Sequence, residues 1–143
     1  MRAKDFLKQL EKLDTIINNK LVEKEQWKAV AMGVTANSEG ERVQSSGRPS
    51  KMADAIDKCV DMEAEIGSLV DKLVAMKHDI TSVIEQLNAT EYDVLHKRYV
   101  QYLSYAEIAD AKGKNFSWVT TVHGRALKNV QRILDERDCN EGT

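Results

Sequence analysis

Proline is almost missing from this chain. Pro49 stands alone among 143 residues, so little interrupts the backbone N–H donors that helices need, and a helical protein is favoured. Cysteine is limited to Cys59 and Cys139. The two have no CxxC spacing and no nearby His pattern, which argues against a zinc site and for free thiols. No signal peptide and no long apolar run is present, so the expected location is the cytoplasm, with no membrane partner. A Ser-His-Asp set, a Gly-rich phosphate loop and a paired-carboxylate motif are all missing, so an enzyme is not expected, nor a cofactor or metal.

Strong net charge is missing too. The balance is −2 with a pI near 5.9, which by itself does not mark a nucleic-acid binder. The distribution is more informative. Residues 1–87 hold 13 Lys/Arg against 15 Asp/Glu, whereas residues 88–137 hold 8 against 6. Between Asn115 and Arg132 the charged residues are Arg125, Lys128 and Arg132, with no acid. A local basic face of this kind is what phosphate contact requires. The plainer reading is a solvated helix face.

What is present in abundance is helical periodicity. Phe6, Leu10, Leu13, Ile17 and Leu21 recur at three- and four-residue steps, predicting an amphipathic helix from Arg2 to about Met32. Its polar faces mix acids and bases, unlike a membrane-surface helix. Gly33–Ser50 reads as a linker, either flexible or contacting a partner, with Pro49 placed to start the next helix. From Ser50 to about Gln86 a heptad stripe runs through Ala55, Cys59, Met62, Ile66, Leu69, Leu73, Met76, Ile80 and Val83. A helix of that length is roughly 50 Å long and needs a partner helix, either the first helix folded back or another copy of the chain. Met52, Ile56, Val60, Val70, Val74 and Ile84 widen the stripe beyond a two-helix seam. That predicts a homo-oligomer, a dimer, joined through the long helices.

The last third carries the sharpest signals. Asn88 with Glu91, and Ser104 with Glu107, place capping residues three apart before two helices. Gly113 suits a tight inter-helix turn and Asn115 caps a third helix. Val94, Leu95, Tyr99 and Leu103 mark the first helix, Ile108 and Ala109 the second. Val119, Val122, Ala126, Val130 and Ile133 mark the third. Three short helices with a Gly turn before the last form the layout of a DNA-binding helix-turn-helix. The fold class is therefore all-α. Residues 1–87 form a helical hairpin and oligomerisation module with a linker at 33–50, residues 88–137 the helix-turn-helix module, and residues 138–143 a tail.

Glu91, Val94, Leu95, Arg98, Tyr99, then Ser104, Glu107, Ile108, Ala109, and finally Ala126, Leu127 and Val130 together resemble region 4 of the bacterial primary sigma factors. The resemblance covers about a third of the chain. The whole layout is similar to the ArpU/RinA-type transcriptional regulators of phages and prophages. The resemblance implies a transcription regulator that binds double-stranded DNA, with RNA polymerase as a further partner. It also implies that Arg98 and Glu107 pair across the first two helices. Sigma factors usually carry Arg near the positions of Phe116, Trp118 and Thr120, and those charges are missing here.

In this arrangement the third helix enters the major groove N-terminal end first. Lys112, Lys114, Arg125 and Lys128 are the phosphate-neutralising candidates. Asn115 and Ser117 lie at the helix start, where N–H groups bind phosphate. Trp118, Thr120 and Thr121 face bases or phosphates, and the Thr methyls can touch a thymine methyl. His96 and His123 read as surface or groove-facing polar residues. Gly124, which costs a helix about 1 kcal/mol against Ala, reads as a point of close packing on a neighbouring helix. Two other functions fit the same residues. One is a module contacting RNA polymerase or another factor through Phe116 and Trp118 without reading DNA. The other is an oligomeric phage DNA-packaging component.

Overall fold

The apolar spacing resolves into five α-helices in the computed structural model, which describes residues 1–33 and 48–142. They are α1 (Ala3–Ala31), α2 (Arg48–Ile84), α3 (Ala89–Leu95), α4 (Tyr105–Lys112) and α5 (Phe116–Glu141). A π-helical turn, His96–Val100, follows α3 directly. The expected all-helical class holds, with no strand among the described residues. Among them, no helix is long and apolar enough to cross a membrane. Most of the Gly33–Ser50 linker lies outside the described residues. Pro49 falls in the first turn of α2, where its missing N–H has no helical partner to lose. Residues 138–141, expected in a tail, are the last turn of α5.

The chain divides into two compact units, and the cuts fall inside both long helices. The unit Asp14–Lys72 holds the middle and end of α1 and the first two thirds of α2. Ile17, Ala55, Met62 and Ile66 are buried there. Lys20 pairs with Glu65 at 2.8 Å and Lys24 with Glu63 at 2.9 Å. The hydrogen bond to Glu65 raises the Lys20 pKa, and the one from Lys24 lowers that of Glu63.

The other unit joins Met1–Leu13 to Leu73–Thr143. Its larger core gathers Ala3, Phe6, Leu7 and Leu10 of α1 with Ile80, Val83 and Ile84 of α2. Leu95, Tyr99, Ala126, Val130 and Leu134 complete it. These side chains come from four segments far apart in sequence. The sharing of one core explains why the first turns of α1 belong with the last helices. Polar contacts reinforce the join. The Ala3 N–H donates to Gln131 Oε1 at 2.7 Å, and Arg137 Nη2 to Asp79 Oδ1 at 2.7 Å. A second, smaller core holds Val94, Ile108, Ala109, Val119 and Val122, with Leu103, Tyr105 and Trp118 packed against it.

Candidate nucleic-acid interface

Each helix boundary near the candidate residues has a local cause. Asn88 accepts the Glu91 N–H at 2.9 Å and starts α3. Ser104 accepts the Glu107 N–H while Glu107 accepts the Ser104 N–H, both at 3.1 Å, a reciprocal cap that starts α4. Gly113 closes α4 in the left-handed region, φ 65°, ψ 34°. The Gly113 N–H reaches the Asp110 carbonyl and the Lys114 N–H the Ala109 carbonyl, so two carbonyls left over by the helix end are satisfied. Asn115 then accepts the Trp118 N–H at 2.8 Å and starts α5. Two helices thus meet across three residues, each end sealed by its own side chain or glycine.

The inner side of α5 is apolar. Val119, Val122, Ala126 and Val130 are buried. Its outer side carries Ser117, Thr121, Arg125, Lys128 and Arg132, all exposed. Their steps of three and four residues align them along one side of the helix. No acid stands in the first turn, so nothing there opposes an anion at the positive helix end. Lys114 and Asn115 are exposed at the turn leading in.

The candidate residues divide into two groups. Ser117, Thr121, Arg125 and Lys128 share the exposed face, and Lys114 and Asn115 flank its start. Lys112, Trp118 and Thr120 are engaged by the protein. Lys112 Nζ lies 2.5 Å from Asp93 Oδ2, and Lys97 Nζ holds the other oxygen at 2.8 Å. Burial pushes the Asp93 carboxyl up, but its bonds to Lys112 and Lys97 outweigh that and hold it below the usual range. The Trp118 ring packs on the smaller core and carries Lys114 Nζ 5.6 Å from its centroid. Thr120 is half-buried and donates its hydroxyl to the Ser117 carbonyl at 3.0 Å. Arg132 extends the exposed face by one more turn; its spacing of four from Lys128 was the available signal.

Three expectations are corrected. First, no Arg98–Glu107 ion pair forms among the described residues. Glu107 is held by Ser104, which lowers its pKa. Arg98 donates to the Leu103 carbonyl at 3.0 Å and lies 4.6 Å from the Tyr105 ring centroid. That contact braces the bend before α4, where Tyr102 takes φ 63°, a conformation costly for a side-chain-bearing residue. Second, His123 is not on a surface or groove. It is buried, with Nε2 2.7 Å from the Tyr99 hydroxyl and its ring edge-on to Tyr105. Burial, with Lys4 and Arg98 nearby, lowers its pKa to about 4, and burial raises that of Tyr99 to about 12. His96 is half-buried, and burial lowers its pKa as well. Third, no neighbouring helix closes on Gly124 among the described residues: beyond its own helix backbone, a Cβ there would find nothing within 4 Å.

The same region contains a buried carboxylate the sequence did not flag as buried. Glu91 is 2% exposed and accepts from Asn88 Nδ2 at 3.1 Å and Asn129 Nδ2 at 2.7 Å. It ties the start of α3 to the middle of α5. These bonds satisfy its buried oxygens. Among the described residues, no three His, Cys, Asp or Glu side chains converge as a metal site requires.

No protein-family model matches this chain, and no curated protein or solved structure matches it either.

Proposed function

We propose that the chain is a transcription regulator of phage or prophage type that binds double-stranded DNA as a homodimer. In this reading α4 and α5 form a helix-turn-helix behind a helical hairpin, as the sigma-region-4 resemblance implies. The exposed face of α5 carries the reading. Ser117, Thr121, Arg125, Lys128 and Arg132 line it without an acid, while the opposite side is fixed in apolar core. The first turns would supply base contacts and the later bases phosphate contacts. The opposed order of the Lys20–Glu65 and Lys24–Glu63 pairs supports the hairpin.

The test is binding of the purified protein to duplexes from upstream of neighbouring genes, against random duplex, across a salt series. Site-selective binding that weakens steeply with salt is expected. Arg125→Ala and Lys128→Ala should each reduce the magnitude of the salt slope by about 2, one phosphate contact in each subunit of the dimer. Absence of binding at low salt by the folded protein would overturn the reading. One observation favours a protein contact instead: Phe116, 57% exposed, stands at the start of α5 against the edge of Tyr105. In that case Phe116→Ala would abolish capture of RNA polymerase while Thr121→Ala and Lys128→Ala changed nothing.

A further inference from the structure

Helix α2 bears two apolar stripes. One is buried in part through Ala55, Met62 and Ile66. The other runs through Ile56, Val60, Gly67, Val70 and Val74, and its large side chains are exposed: Ile56 51%, Val60 59%, Val70 39%, Val74 63%. Glu63 occupies the one polar position in it. The steps from Ile56 to Val74 alternate four and three, which is the heptad spacing of a helix–helix seam. So the long helix keeps a second heptad-spaced stripe whose large apolar side chains stay exposed among the described residues.

We propose that this seam pairs with the same seam of a second copy in antiparallel register. The proposal rests on the homodimeric reading and specifies its face and direction. Two residues decide the direction. A parallel, in-register pairing would set Glu63 against Glu63 and Gly67 against Gly67, a like-charge contact beside a void. The antiparallel pairing sets Ile56 against the second copy's Val74 and Val60 against its Val70. Glu63 then lies over the second copy's Gly67, and two-fold symmetry repeats each contact. Gly67 has room for it, since a Cβ there would meet nothing within 4 Å. Each Glu63 also keeps its own counter-charge, Lys24 at 2.9 Å. Asp57 would stand near the second copy's Asp71 on the exposed rim, so self-association should strengthen as salt rises.

Sedimentation equilibrium of the full chain, wild type against Val60→Lys and Val70→Lys, tests the face. Oxidative cross-linking tests the direction, in chains whose Cys59 and Cys139 are replaced by Ser. The expected result is a wild-type dimer weakened at least about tenfold by either lysine, because each ammonium would be driven into apolar contact. Helicity by circular dichroism should be unchanged. Val60→Cys mixed with Val70→Cys should cross-link, and Val60→Cys alone should not. In the antiparallel pair the two copies of residue 60 stand about 15 Å apart along the axis, too far for a disulfide. A wild-type monomer would sink the dimeric reading itself. A dimer indifferent to both lysines would keep that reading and overturn this face. Cross-linking of Val60→Cys with itself would overturn the antiparallel direction.

Discussion

The long helices between residues 14 and 74 and the short helices after residue 88 treat their apolar side chains differently. Leu21, Val22, Trp27, Met32, Met52, Ile56, Val60, Val70 and Val74 of the first region stand exposed. In the second region Phe116 is the one large apolar residue exposed to that degree among the described residues. Short helices turn back on one another, so each can bury its apolar side within its own chain. A helix of the length of α2 presents more apolar side than one neighbour covers. The difference separates short helices whose apolar sides are covered, in part by the ends of α1 and α2, from long helices with apolar surface left over.

The largest expected effect strikes the closed core. Ile108 is fully buried in the smaller core, so Ile108→Ala should cost about 2–5 kcal/mol. Urea unfolding followed by hydrogen exchange would check it. Loss of protection confined to α3–α5 would sharpen the contrast. Loss along the whole of α1 and α2 would break it.

The next effect is a pH dependence. His123 has a folded pKa of about 4 against an ordinary 6.5. Below 6.5 the unfolded chain takes up a proton that the folded chain refuses until about pH 4. Stability is therefore full above pH 6.5 and falls between 6.5 and 4, by up to about 3 kcal/mol. The Tm of wild type should drop over this window, and that of His123→Gln should drop less. An equal drop in both would assign the acid sensitivity to carboxylates such as Asp93.

The smallest effects come from two glycines, with opposite signs. Gly113 has φ 65°, so Gly113→Ala should destabilise by about 1 kcal/mol. Gly124 sits in a right-handed helix with open space around it, so Gly124→Ala should stabilise by about 1 kcal/mol. Paired denaturation curves check both at once.

Much of this was legible along the chain. Caps at Asn88, Ser104 and Asn115 and the turn at Gly113 depend on residues within five positions of each other. Such contacts form in the same way wherever the segment lies. The buried side of α5 followed from spacing for the same reason. His123 was not legible: its burial depends on Tyr99, 24 positions away, and on Tyr105. The partner of Glu91, Asn129, is 38 positions away. Lys112 looked like a free base because Asp93 is on another helix. Gly124 misled for the converse reason, since a helix-weakening residue suggests a close neighbour that the fold does not provide.

By itself, then, the sequence determined the helices, their capped starts at Asn88, Ser104 and Asn115 and which side of each is apolar, because those depend on local hydrogen bonds and on a period of 3.6 residues. The tertiary structure alone decided how that apolar surface is shared. Phe6, Leu7 and Leu10 went into a core with Ala126, Val130 and Leu134, more than 100 residues away, and Ile56, Val60, Val70 and Val74 were left exposed among the described residues. Hydrophobic burial is non-directional, so periodicity shows which side of a helix seeks cover. Only the packed chain shows which residues supply it.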